Sequence, residues 1–127
     1  GVGARAEAQL RAHQLPDGGL VQRIVAQQML SQRNARVIVG PVPDTLPRVI
    51  AQRVAYLHID MNHAPPEVAA IEHFWPRLVP GAVVLLDDYA YRGFEAQKRA
   101  MDGFAQRAGV AICSLPTGQG LLLKPPQ

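Results

Sequence analysis

The sequence is poor in cysteine, in aromatic residues and in long apolar runs, and each shortage excludes a class of protein. Its single cysteine, Cys113, cannot form an intrachain disulfide, and the surrounding run VAICSL predicts a small buried side chain. Aromatic residues make up 6% of the chain, so aliphatic residues must fill most of the interior. No run approaches the ~18–20 apolar residues of a membrane span, and no secretory signal pattern is present. We therefore expect a cytoplasmic protein.

Charged residues are also few, and they are scattered. The formal net charge is +3, and the basic residues, nearly all arginine, are spread along the chain. A nucleic-acid-binding surface normally concentrates such residues in a stripe, so no nucleic-acid partner is expected. With 127 residues, 48% of them hydrophobic, the chain has the length and composition of one globular domain.

The first third of the chain favours helix more than sheet. Apolar residues recur near the helical period over residues 19–33, which predicts an amphipathic helix, and residues 1–33 are interpreted as a helical segment. Residues 36–40 (RVIVG) are β-branched and end in glycine, a pattern typical of a strand. Prolines interrupt the following stretch, where residues 44–52 could hold a short helix capped by Asp44.

The rest of the chain alternates strand and helix patterns. The run at 82–86 (AVVLL) is continuously apolar, as expected of a parallel strand buried on both faces. Pro65-Pro66 is expected to start a helix that Pro76 kinks or ends in its last turn, and Pro80-Gly81 to form a turn. Strands are predicted at 54–60, 82–86, 110–115 and 120–124, with a further helix at 94–108.

This alternation predicts a single α/β domain over residues 1–127. The expected sheet has about five strands, mostly parallel, flanked by helices. Residues 116–119 (PTGQ) could make a hairpin turn between the last two strands, and the C-terminal strand would then be antiparallel.

Three aspartates stand at the ends of two predicted strands. Asp60 ends the strand at 54–60, and Asp87 and Asp88 follow the strand at 82–86. Ligands bind beyond the carboxyl ends of parallel strands, and one strand–helix–strand unit can bring these carboxylates together. A divalent cation such as Mg²⁺ or Ca²⁺ would relieve their repulsion and could acidify a substrate hydroxyl. The alternative is that Asp60 and Asp88 only cap the segments that follow.

Neighbouring side chains could complete a pocket. His63, in the loop after Asp60, is a candidate pocket residue, ligand or base; the alternative is a solvated loop histidine. Tyr89, directly after the aspartate pair, is a candidate pocket residue; the alternative is packing over the end of the sheet. His58, inside a strand, is expected to be a hydrogen-bonded core histidine rather than a ligand.

Four motifs occur together between residues 44 and 120. They are Asp-Thr-Leu-Pro at 44–47, His-Ile-Asp at 58–60, Pro-Gly-Ala-Val-Val-Leu-Leu-Asp-Asp-Tyr at 80–89 and Pro-Thr-Gly-Gln-Gly at 116–120. In this combination, over residues 36–125, the chain resembles the C-terminal portion of a macrocin O-methyltransferase/TylF-type class I methyltransferase that uses S-adenosylmethionine (SAM).

The resemblance implies a fold and an activity. The fold would be a truncated Rossmann-like methyltransferase sheet, and the activity a metal-assisted transfer of a methyl group from SAM to a sugar or small-molecule hydroxyl. It also implies a magnesium ion held by Asp60, Asp87 and Asp88, with Asp60 as the candidate general base.

Two departures from the family pattern shape these expectations. The family's glycine-rich turn after the first strand, and the acidic residue after the second, have no counterpart in this sequence, so no residue is assigned to SAM. The chain is therefore expected to bind SAM poorly and to be inactive if no other segment supplies this half. Residues 61–66 (MNHAPP) also differ from the usual loop beside the acceptor.

An incomplete sheet exposes apolar edges, and this predicts a homo-oligomer. Two alternatives to the enzyme stay open. One is a non-catalytic oligomerising module derived from a methyltransferase. The other is a metal-dependent hydrolase that uses the same acidic edge, although no nucleophile motif accompanies it.

Overall fold

A computed structural model describes residues 7–11 and 35–126. They form a five-stranded sheet in the order β1-β2-β3-β5-β4. The first three strands are parallel, β5 is antiparallel to β3, and β4 is antiparallel to β5. The predicted mostly parallel sheet with an antiparallel C-terminal strand is confirmed. The strands are β1 (Glu7–Arg11), β2 (Val54–Asp60), β3 (Leu78–Leu86), β4 (Cys113–Ser114) and β5 (Gly120–Leu123).

Among the described residues, two α-helices accompany the sheet, α1 (Ala64–Phe74) and α2 (Glu95–Ala108). Prolines occupy the first turn of α1, where a missing N–H costs nothing. The helix ends at Phe74, and Trp75–Arg77 continue as a short 3-10 helix, because Pro76 cannot extend the hydrogen-bond ladder. Both effects of proline were predicted. In the part of the chain that the structure describes, no helix has the length and apolarity needed to cross a membrane.

One face of the sheet carries the core. Alternate residues of β2 and β3 are fully buried, and helices α1 and α2 contribute their apolar residues to the same cluster. The other face of these strands is only half-buried, in contrast to the burial on both faces that the apolar run at 82–86 predicted. The principal buried side chains are Leu57, Ile59, Val84 and Leu86 from the strands and Ile71, Phe74, Met101 and Phe104 from the helices.

Strand β3 is longer than predicted and includes the expected turn. It begins at Leu78 and runs through Pro80 and Gly81. The pairing with β2 is irregular there: Val54 is opposite Leu78, whereas Tyr56 is opposite Val83. Gly81 adopts φ +79° and donates a hydrogen bond of 2.8 Å to the Lys124 carbonyl, so Pro80-Gly81 bends the strand without ending it.

The C-terminal strands are shorter than predicted. Of residues 110–115, only Cys113–Ser114 pair with β5. The prediction that Cys113 is buried is wrong, because β4 lies at the edge of the sheet and the cysteine is exposed.

The predictions for residues 1–52 agree least with the structure. Residues 36–40 form no strand, since β1 (Glu7–Arg11) occupies the parallel position beside β2. That strand lies inside the segment interpreted as helical, and the predicted helix at 19–33 falls outside the described residues. The short helix at 44–52 is reduced to the 3-10 helix Leu46–Arg48, whose cap position holds Thr45 rather than Asp44.

Candidate functional site

The parallel register brings the strand-end aspartates together at the carboxyl ends of β2 and β3. Ile59 is paired with Leu86, and the Asp87 N–H donates a hydrogen bond of 3.0 Å to the Ile59 carbonyl. Asp60 and Asp87 are therefore the next residues on adjacent parallel strands, as the strand–helix–strand pattern predicted.

His58 belongs to the same cluster. It lies two residues before Asp60, on the same face of β2, and its Nε2 is 3.2 Å from Asp87 Oδ1. Potential ligand atoms of His58, Asp60 and Asp87 all lie within 4.8 Å of one another. His58 is hydrogen-bonded, as predicted, but it is only partly buried and lies among potential metal-ligand atoms, so its role as a core residue rather than a ligand stays a prediction. The sequence did not indicate Asp87 as its partner; the spacing of two residues from Asp60 was the available signal.

Asp88 stands beside this cluster with one oxygen withdrawn from water. Its Oδ2 is buried and, within the described ranges, has no hydrogen-bond partner. Burial raises the pKa of Asp88, and the negative charges of Asp87 and Asp60 raise it further. Asp88 is thus close enough to Asp60 and Asp87 to feel their negative charges, a repulsion that a bound cation would relieve.

Glu67 is a second buried carboxyl near the aspartates. It is 5% exposed, and burial raises its pKa to about 7, against the lowering effect of the Met61 N–H and with a further increase from Asp88. Its Oε1 accepts a hydrogen bond of 3.4 Å from the Met61 N–H. The sequence pattern placed no functional residue in this first turn of α1, and a glutamate at a helix N-terminus is too common to signal one.

The two predicted pocket residues have different surroundings. His63 is exposed at the N-cap of α1 and makes no side-chain cap hydrogen bond. Tyr89 is buried, and its hydroxyl donates to Asp102 and accepts from Lys98 Nζ at 3.1 Å. A shallow pocket of about 280 Å³ is lined by Tyr89, Ala90, Tyr91, Arg92, Glu95 and Lys98. Tyr89 therefore both packs over the sheet end and borders a surface pocket.

The donor chemistry fits a hard divalent cation. Carboxylate oxygens are preferred ligands of Mg²⁺, and the buried, partnerless Oδ2 of Asp88 is a polar atom that such an ion could satisfy. His58 Nε2 is already engaged with Asp87, which suits an outer partner that orients a ligand carboxylate.

Fold and sequence together define the class of protein. Residues 5–89 match the family described as "Methyltransferase domain", and the chain belongs to that family. The match begins well before the segment whose motifs carry the resemblance at 36–125, and it includes β1.

Among curated proteins, the chain is similar to two named O-methyltransferases. It is 29% identical over 91 residues to the mycinamicin III 3''-O-methyltransferase of Micromonospora griseorubida, covering 72% of this chain and 35% of that protein. It is 33% identical over 76 residues to a tetracenomycin-C 4'-O-methyltransferase of Streptomyces olivaceus, acting on the 8-demethyl-8-(2,3-dimethoxy-alpha-L-rhamnosyl) compound, covering 60% of this chain and 28% of that one. The chain thus spans about a third of the length of these relatives.

Solved structures share the fold. The O-methyltransferase NovP superposes with a TM-score of 0.69 at 20% identity, over 83% of this chain and 43% of that chain. CalS11, a calicheamicin methyltransferase, superposes with a TM-score of 0.66 at 20% identity, over 86% of this chain and 48% of that chain. The α/β fold is therefore a truncated, Rossmann-like methyltransferase sheet.

Proposed function

We propose that this chain carries the metal and acceptor portion of a macrocin/TylF-type O-methyltransferase that methylates a hydroxyl of a sugar or small molecule. The observation that carries the proposal is the strand-end cluster, in which Asp60 and Asp87 lie side by side with Asp88 beside them. The names of the relatives support the reaction class: both curated proteins are O-methyltransferases, and one name specifies a rhamnosyl compound.

In this proposal the aspartates serve as metal ligands, and Asp60 also serves as the general base. Asp60, Asp87 and Asp88 would hold Mg²⁺, with His58 orienting Asp87 through its 3.2 Å contact. When bound, the ion would fix two acceptor oxygens and lower the pKa of the hydroxyl. Asp60, at the end of β2, would accept the hydroxyl proton as general base.

Membership of the methyltransferase family implies SAM as the methyl donor. When bound, SAM supplies a methyl group on a sulfonium centre. The backbone of β1 runs parallel to β2, with Arg11 opposite Asp60, so β1 ends at the edge where the acidic cluster lies. We place SAM at this shared edge, since ligands of parallel α/β sheets bind there.

The test is a methyl-transfer assay. The chain is incubated with methyl-labelled SAM and a panel of deoxysugar glycosides, with Mg²⁺ or with a chelator, and products are read by mass spectrometry. Any label on an acceptor oxygen should depend on Mg²⁺ and should be absent with Asp60→Asn. Transfer that is equal in chelator would contradict metal assistance.

Binding of S-adenosylhomocysteine, measured by calorimetry, separates the alternatives. Binding without transfer to any acceptor would point to an incomplete acceptor site. No heat at millimolar ligand would favour the non-catalytic module. It would mean that methyl transfer belongs to the longer relatives and not to this chain.

A further inference from the structure

We infer that Gln119 is a positioning residue that fixes the orientation of the Asp87 carboxylate, and that the Thr-Gly-Gln-Gly segment at 117–120 is built around this task. The inference rests on the proposed function for its purpose, the placement of a cation ligand. Its geometry rests on contacts in the structure alone.

The side chain of Gln119 reaches the acidic cluster from the turn between β4 and β5. Its Nε2 donates a hydrogen bond of 3.0 Å to Asp87 Oδ1, across 32 residues of sequence. Because a carboxylate can only accept hydrogen bonds, the amide nitrogen must face Asp87 and the amide oxygen must face away.

Thr117 holds the amide in that orientation. Its hydroxyl donates a hydrogen bond of 2.9 Å to Gln119 Oε1, which satisfies the oxygen that points away from Asp87. Asp87 Oδ1 thus receives one contact from His58 on β2, at 3.2 Å, and one from Gln119, at 3.0 Å. With the tautomer of His58 that carries its proton on Nε2, both contacts are hydrogen bonds to Oδ1, and together they limit the rotation of the carboxylate.

The two glycines let the turn approach the strand end. Gly118 has φ +85°, and a Cβ there would lie 2.6 Å from Tyr91 Cδ2. A Cβ on Gly120 would lie 2.6 Å from Tyr89 Cγ. The Gly118 carbonyl accepts a hydrogen bond of 2.8 Å from the Ala90 N–H, which ties the turn to the segment directly after Asp87 and Asp88.

The first readout does not need a metal. Because His58 and Gln119 share Asp87 Oδ1, a change in that carboxylate must alter the environment of His58 Nε2. In the metal-free chain we expect Gln119→Met to shift the side-chain ¹⁵N resonances of His58 while those of His63 and His73 stay in place. Thr117→Val should give a smaller shift in the same direction, and Gln106→Met, on the exposed side of α2, should give none.

The second readout is the affinity for Mg²⁺ alone, measured by calorimetry. Loss of an outer partner of a metal ligand typically weakens binding by about 10- to 100-fold. We expect that loss for Gln119→Met, a smaller one for Thr117→Val and none for Gln106→Met. Melting curves followed by circular dichroism confirm that each variant is folded.

The outcomes separate this inference from the proposed function. Unchanged His58 resonances in folded Gln119→Met overturn the inference, whether or not the wild type binds Mg²⁺. An unchanged Mg²⁺ affinity in that variant, with a wild type that binds the ion, overturns it as well. A wild type that binds no Mg²⁺ contradicts the proposed metal assistance, while the His58 resonances still decide the role of Gln119.

Discussion

At the scale of single residues, the buried carboxyl of Glu67 gives a prediction of how stability depends on pH. Its carboxyl is 5% exposed, and its folded pKa of about 7 lies above the ordinary value of 4.5. The folded chain therefore binds this proton more tightly than the unfolded chain does. The resulting stabilisation is complete below about pH 4.5 and is lost as the pH rises towards about 7.

Replacement of Glu67 by glutamine should remove this dependence. At pH 8 the wild type must ionise a buried carboxyl, whereas Glu67→Gln stays neutral. We expect the variant to gain up to about 3 kcal/mol of unfolding free energy relative to the wild type at pH 8, and little at pH 4. Urea unfolding at the two pH values measures this difference.

Glu72 is the matched control on the same helix. Its side chain is 52% exposed and pairs with Arg107 on the surface, so Glu72→Gln should change stability by less than about 1 kcal/mol at either pH. An equal effect of Glu67→Gln at both pH values would show that the Glu67 pKa is not raised.

Among the candidate site residues, the positions of the aspartates could be predicted from the sequence, but those of the residues around them could not. Asp60 and Asp87 follow from strand ends, because parallel pairing brings such ends together whatever the details of packing. Glu67 and Gln119 depend on where a helix turn and a hairpin come to rest, which is set by tertiary contacts. A glutamine in a turn or a glutamate in a helix gives no local signal of that position.

At the scale of elements, the local sequence pattern predicts a strand or a helix end correctly where only one segment can occupy the position. It fails where two segments could occupy the same position in the sheet. Strand β2 and the end of α1 follow from β-branched residues and from Pro76. Residues 36–40 carry an equally good strand pattern, yet β1 pairs with β2 in their place. Competition for one sheet position is a property of the whole fold, so propensity alone could not resolve it.

The first residue of β5, Gly120, gives an element-scale prediction. Gly120→Ala would place a methyl group against the Tyr89 ring, which is buried and held by Asp102 and Lys98. We expect a loss of about 1–3 kcal/mol of unfolding free energy, typical of overpacking, measured by urea unfolding.

Gly103→Ala in α2 is the opposite control. The nearest atom to its Cβ would be the end of the Arg107 side chain at 3.5 Å, which can move. Alanine is the better helix former, so this variant should gain about 0.5–1 kcal/mol. A Gly120→Ala chain as stable as the wild type would mean that Tyr89 does not pack against β5 as described.

At the scale of the whole molecule, exposed apolar side chains are consistent with the homo-oligomer that the sequence predicts. Ile50 is 73% exposed, Leu123 56% and Val39 55%. We expect a dimer or larger assembly in size-exclusion chromatography with light scattering. A monomer over a hundredfold range of concentration would contradict this.

The central claim is that the strand-end aspartates form a cation site within a methyltransferase fold. Calorimetric titration of Mg²⁺ into the wild type, Asp60→Asn and Asp87→Asn tests it most directly, with Asp44→Asn, an exposed aspartate outside the cluster, as the control. We expect binding by the wild type and by Asp44→Asn. Asp60→Asn and Asp87→Asn should each lower the Mg²⁺ affinity by more than the loss of a residue that only orients a ligand, which is typically about 10- to 100-fold. Equal affinity in all four chains, or no binding by the wild type, would contradict the claim.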